Sequence, residues 1–90
     1  MDKRELALKR DYTAERLPEI TLERQRLQQQ SERLKAEKGT APPERRRMIA
    51  RREKYIRIRI AQLRKEHAAV SEERKAAMAG LEALRTAYQS

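Results

Sequence analysis

Apolar residues at a fixed interval of seven constrain this chain more than any other feature. Leu6, Thr13, Ile20, Leu27 and Leu34 follow one another at that spacing, with Leu17 on the adjoining position. Further on, Ile49, Ile56, Leu63, Val70, Ala77 and Leu84 form a second such row. A third, Ile60, His67, Arg74, Leu81 and Tyr88, runs beside it, so that the steps alternate between four and three. A β-strand repeats every second residue and cannot keep such a row on one side. An α-helix, turning every ~3.6 residues, can, and two such helices wind around a shared seam. The rows predict two long helices packed along one narrow apolar stripe.

The segment between the rows predicts how the helices connect. Gly39-Thr40-Ala41-Pro42-Pro43 follows Glu37-Lys38, which reads as a helix stop with a basic last turn. The paired prolines cannot continue a helix but suit the first turn of the next. The spans are then a first helix over about residues 3–38, a loop over 39–43 and a second helix over about 44–88. Such a short connection makes an antiparallel hairpin, one domain covering residues 1–90. Pro18, inside the first span, predicts a kink or break near residues 14–18. Ser71-Glu72-Glu73 reads as a lesser candidate for a new helix start. Paired back from the loop, Leu34 falls near Arg47, Leu27 near Ile56, Ile20 near Ile60 and Leu63, and Leu6 near Arg74 and Ala77. The longer second helix should overhang from about Met78 to Ser90.

Composition sharpens this. Ala, Glu, Lys, Leu and Arg make up 57 of the 90 residues, as in long helices. Only fifteen residues are Leu, Ile or Val, and Phe and Trp are absent, so a thick globular core is out of reach. A seam completed by a second copy or a partner is the economical solution. With no cysteine and a single histidine, His67, the chain offers no thiolate chemistry and no obvious metal site. The reading expects neither an enzyme nor a cofactor. The opening Met1-Asp-Lys-Arg-Glu lacks an apolar signal region and no run approaches membrane-spanning length, so it expects a soluble, intracellular protein, cytoplasmic or nucleoid-associated. A basic amphipathic helix lying on a membrane is disfavoured, because the apolar face is narrow and already needed for the seam.

The net charge is +9, and it is concentrated. Residues 45–65 hold ten basic side chains (Arg45, Arg46, Arg47, Arg51, Arg52, Lys54, Arg57, Arg59, Arg64 and Lys65) against Glu53 alone. With the seam facing the first helix, Arg47, Arg51, Lys54 and Lys65 lie on the opposite side, Arg46, Arg57 and Arg64 on one flank, and Arg52 and Arg59 on the other. A row of this kind can follow phosphates of DNA or RNA, and Arg suits that geometry through its planar fork. Arg47, Arg51, Lys54, Arg57 and Lys65 are the candidate contacts. The plainer reading is a solvated coiled-coil face paired with Glu15, Glu19, Glu23 and Glu32 of the first helix. With Tyr55 as the one aromatic of the window and no recognisable base-reading motif, contact through shape and charge is expected.

Some apolar residues miss the seam. Ile58 falls among the basic residues; Met48 and Tyr55 sit on a flank; Leu8, Tyr12 and Leu22 are off the first-helix row. A two-helix hairpin has one internal seam, so these argue for a second surface: a homodimer in a four-helix arrangement, or docking on an acidic protein partner. Gly80, costly in mid-helix by about 0.5–1 kcal/mol, wants a close helix–helix contact. Together with Met48, Tyr55, Ile58, Leu81, Leu84 and Tyr88 it makes up the candidate dimer or partner interface. His67 and Arg74 are polar seam residues that set register, with Asp11 or Glu15 as the acid expected near His67.

Overall fold

The computed structural model describes residues 2–89, and it is all-α: a helical hairpin of α1 (Lys3–Lys38) and α2 (Pro43–Gln89). Asp2 caps α1, its Oδ1 accepting the Glu5 amide at 2.8 Å while its carbonyl accepts the Leu6 amide at 3.1 Å. α1 runs through Pro18 without a break. The proline leaves the Ala14 carbonyl without its helical donor, a defect of about 3 kcal/mol in an interior. Ala14 and Pro18 both occupy exposed positions, where water can satisfy that carbonyl. α2 passes Ser71 in the same unbroken way.

α1 stops at Lys38, directly before Gly39, as expected. Neither glycine has positive φ, and the end of α1 closes with the Thr40 amide donating to the Glu37 carbonyl at 3.1 Å. Pro43 occupies the first position of α2, where a missing N–H costs nothing, and the Arg46 amide closes the first turn on the Pro42 carbonyl at 2.9 Å. Ala41 is buried in the turn.

The chain packs as two units. The turn unit is Thr21–Lys65; the terminal unit joins Met1–Ile20 to Glu66–Ser90. In the turn unit the buried side chains are Leu27, Ile49, Ile56 and Leu63, with Leu34 half-buried. In the terminal unit they are Leu6, Thr13, Ile20, Val70 and Ala77, with Leu81 and Leu84 half-buried. Thr13 is fully buried, and its hydroxyl is satisfied within α1 by donating to the Lys9 and Arg10 carbonyls at 2.8 and 3.0 Å. Arg74 reaches the Arg10 carbonyl as well, at 3.0 Å.

Two expectations about the chain ends need correction. Gly80 packs on Leu6, close enough that an added Cβ would lie 3.0 Å from both Leu6 methyls. Leu81 and Leu84 share a shallow cleft with Lys3. The part of α2 unopposed by α1 therefore begins beyond Leu84, not at Met78, because the helices align slightly further along than counting back from the loop implies. His67, half-buried, has no ion pair to Asp11 or Glu15 among the described residues; Asp11 is held by its neighbour Arg10 at 3.0 Å.

Candidate nucleic-acid interface

Charge divides between the units more sharply than the window 45–65 suggests. The turn unit holds fifteen basic and five acidic residues, the terminal unit eight and nine, which together give the net +9. The whole positive excess thus lies on the turn unit.

Within that unit the two edges of the hairpin differ. Along one edge, positions seven apart on each helix meet in rungs. Arg45 grips Glu37 through Nε–Oε1 at 2.7 Å and Nη2–Oε2 at 3.1 Å. Arg52 Nη2 donates to Gln30 Oε1 at 3.0 Å, and Arg59 grips Glu23 at 2.9 and 3.2 Å. Bidentate bonds of this kind are the stronger class. Through them Arg45 holds the Glu37 carboxyl below its usual value, and its own guanidinium is pushed up in turn. Arg52 also lies over the Tyr55 ring, 4.7 Å from its centre. The terminal unit carries one like rung, Arg16 on Glu66 at 2.7 Å, with the sign of each side reversed; those bonds, with one to Glu19, raise the Arg16 pKa.

The opposite edge is built differently. Ser31, Lys35, Lys38, Ala50, Glu53 and Arg57 line a shallow groove there. Glu53, its side chain 16% exposed, is held by Lys38 Nζ at 3.1 Å. Arg24 stands seven residues before Ser31 on the same edge, half-buried, and its shielded Nε has no hydrogen-bond partner. Arg46 and Arg64 stand seven residues either side of this stretch of α2 from Glu53 and Arg57, both exposed.

The five candidate phosphate contacts can now be placed. Arg47, Arg51, Lys54, Arg57 and Lys65 are all exposed and all in the turn unit, and none has an ion pair among the described residues. Arg46 and Arg64 share that condition, so seven exposed cations of this stretch of α2 have no side-chain hydrogen bond or ion pair among the described residues. Glu15 and Glu32 pair with none of them among the described residues; Glu23 takes Arg59 and Glu19 takes Arg16. From Arg47 to Lys65 the row covers about 27 Å at about 1.5 Å per residue.

Of the candidate interface residues, Met48, Tyr55 and Ile58 are exposed by 58%, 50% and 50%. Leu8, Tyr12 and Leu22 are exposed in the same way. Gly80 is half-buried against Leu6, Leu81 and Leu84 are half-buried beside Lys3, and Tyr88 is exposed by 85%. The residues missed were those of α1: Arg24, Ser31, Lys35 and Lys38. The dense basic window drew attention to α2, but the spacing of Arg24, Ser31 and Lys38, seven apart and four beyond the seam row, was a usable signal.

Comparison of the chain with protein-family models, curated proteins and solved structures gives no match. Among the described residues, no helix is long and apolar enough to cross a membrane, and no three His, Asp or Glu side chains are grouped to hold a metal ion.

Proposed function

We propose that this chain is a non-enzymatic, intracellular nucleic-acid-binding hairpin, cytoplasmic or nucleoid-associated, that holds the phosphate backbone through the basic half of α2 without reading bases. One observation carries the reading: seven exposed cations of α2 within the turn unit have no side-chain hydrogen bond or ion pair among the described residues, while Arg45 and Arg59 beside them are neutralised by glutamates. A solvated coiled-coil face would pair its charges across the helices, as that second group does. Unpaired arginines in a row gain most from an external anion, because each phosphate neutralised releases condensed counterions.

The test is fluorescence anisotropy with labelled duplex DNA and single-stranded RNA, titrated over about 50–300 mM salt. Five phosphate contacts give a log–log slope of about −4.5 on duplex and −3.5 on single strand. Changing Arg47, Arg51 and Lys54 together to Gln should flatten these slopes by about 2.7 and 2.1 with helicity intact. Binding that the triple change leaves untouched refutes the assignment.

A second reading rests on the exposed Met48, Tyr55 and Ile58. In it the chain is an adaptor, inhibitor or assembly component docking on an acidic protein, with these residues as anchors and the arginines as steering charge. Ile58→Asp separates the two: it cripples protein docking and only modestly weakens phosphate binding. Under either reading, self-association through the same apolar residues gives them cover.

A further inference from the structure

The two edges of the turn unit are not equivalent, and resting on the nucleic-acid reading we propose that only one of them receives the ligand. The groove lined by Ser31, Lys35, Lys38, Ala50, Glu53 and Arg57 seats a stretch of phosphodiester backbone, and Arg24 and Lys35 of α1 share that strand with Arg57 and Arg64 of α2. The binding face is thus made by both helices, and α1 supplies contacts outside the basic window.

Five features point to this edge. On the ladder edge every arginine of the α2 row already has an acceptor: Arg45 has Glu37, Arg52 has Gln30 and Arg59 has Glu23. A phosphate there would have to displace a formed bond. On the groove edge Lys35, Arg46, Arg57 and Arg64 are exposed and have no ion pair among the described residues. Among the residues lining the groove, Ser31 and Ala50 are small and let a bulky anion approach the helices, while Lys35 and Arg57 are basic. Its one acid, Glu53, is mostly covered and already engaged by Lys38, so its repulsion is blunted. Finally, Arg24 keeps a shielded Nε donor with no acceptor among the described residues. A donor of that kind is costly to leave unmade and gains from an incoming acceptor. Arg24 and Lys35 stand about 16 Å apart along α1 at about 1.5 Å per residue, enough for several phosphates.

Three variants of the full chain test the inference by salt-dependent anisotropy on duplex DNA and on single-stranded RNA, each first checked for helicity by circular dichroism. Glu53→Gln keeps the side-chain shape, removes the edge's acid and releases Lys38. It should tighten binding and steepen the slope by about 0.9 on duplex and 0.7 on single strand. A gain of that kind cannot come from misfolding. Arg24→Gln with Lys35→Gln should flatten the duplex slope by about 1.8. Arg26→Gln with Arg33→Gln removes the same charge from α1 on the side of Gln30, and should leave the slope unchanged. Equal flattening by the two double variants means a diffuse polycation and overturns the inference, as does a Glu53→Gln slope equal to the unaltered protein's. If the unaltered chain shows no salt-dependent binding at all, the underlying nucleic-acid reading fails first. If Arg47, Arg51 and Lys54 matter while Arg24, Lys35 and Glu53 do not, that reading stands and the groove falls alone.

Discussion

Leu63 and Ile58 lie five residues apart in the same unit, and truncating each to Ala removes three carbons from similar side chains. Leu63 is 0% exposed and Ile58 is 50% exposed. Leu63→Ala forfeits about 2.4 kcal/mol of transfer free energy at about 0.8 kcal/mol per methylene. A cavity term adds to this, and core truncations of this type run from about 2 to 5 kcal/mol. A two-helix seam is open to solvent along both edges, so the void relaxes easily and the lower part of that range applies, about 2.5–3 kcal/mol. For a chain of this size that lowers the Tm by roughly 10–20 °C. Ile58→Ala loses little burial and gains a few tenths of a kcal/mol in helix propensity, so it should stay within about 0.5 kcal/mol of the original. Thermal and urea unfolding followed by circular dichroism, with sedimentation on the same samples, reads both. If Leu63→Ala costs under about 1 kcal/mol, the seam is not what holds the hairpin. If Ile58→Ala costs more than about 1.5 kcal/mol or splits an oligomer, Ile58 is covered in solution, and the isolated hairpin is the wrong unit for stability arguments.

Two further predictions concern single contacts. Gly80→Val should destabilise by about 1–3 kcal/mol through overpacking on Leu6, whose methyls already stand 3.0 Å from an added Cβ; a stabilised variant in the same melts would show that the contact is loose. Glu37→Gln should lower the Tm at neutral pH but not in acid. The folded pKa of Glu37 is depressed by Arg45, so its contribution is complete above the ordinary carboxylate value and is lost as pH falls through the lower folded one. A Tm difference that persists unchanged at pH 2–3 contradicts this.

The helix spans and the seam were legible because each rests on a local rule repeated many times. Nine of the eleven residues in the two principal seven-residue rows are buried, from Leu6 to Leu27 and from Ile49 to Ala77; Leu34 and Leu84, near the two ends of the packed region, are half-buried. Pro18 does not break α1, since a single interior defect does not outweigh the seam on both sides of it. The acids opposite the arginines were only partly legible. Glu23 was named, but Glu37, which grips Arg45 across the turn, was not, because a rung needs the register of both helices and a half-turn error moves it to the wrong edge. The same dependence hid the groove, whose cations come from two segments that look unremarkable when read separately.

The rungs also bear on how the chain finds its fold. Their partners are separated by 8 residues at Glu37–Arg45, 22 at Gln30–Arg52, 36 at Glu23–Arg59 and 50 at Arg16–Glu66. Closed from an open chain, the outermost would need a loop about six times longer than the innermost. Closed in order from the turn, each adds only fourteen residues to a loop whose base is already fixed, and the entropy lost per step stays nearly constant. A topology of this kind has local steps throughout and belongs with the fast-folding helical proteins. The proline-bounded turn and the Arg45–Glu37 clamp across it are then the natural starting point of assembly. The strongly charged half of the chain gains its shape before its two ends meet.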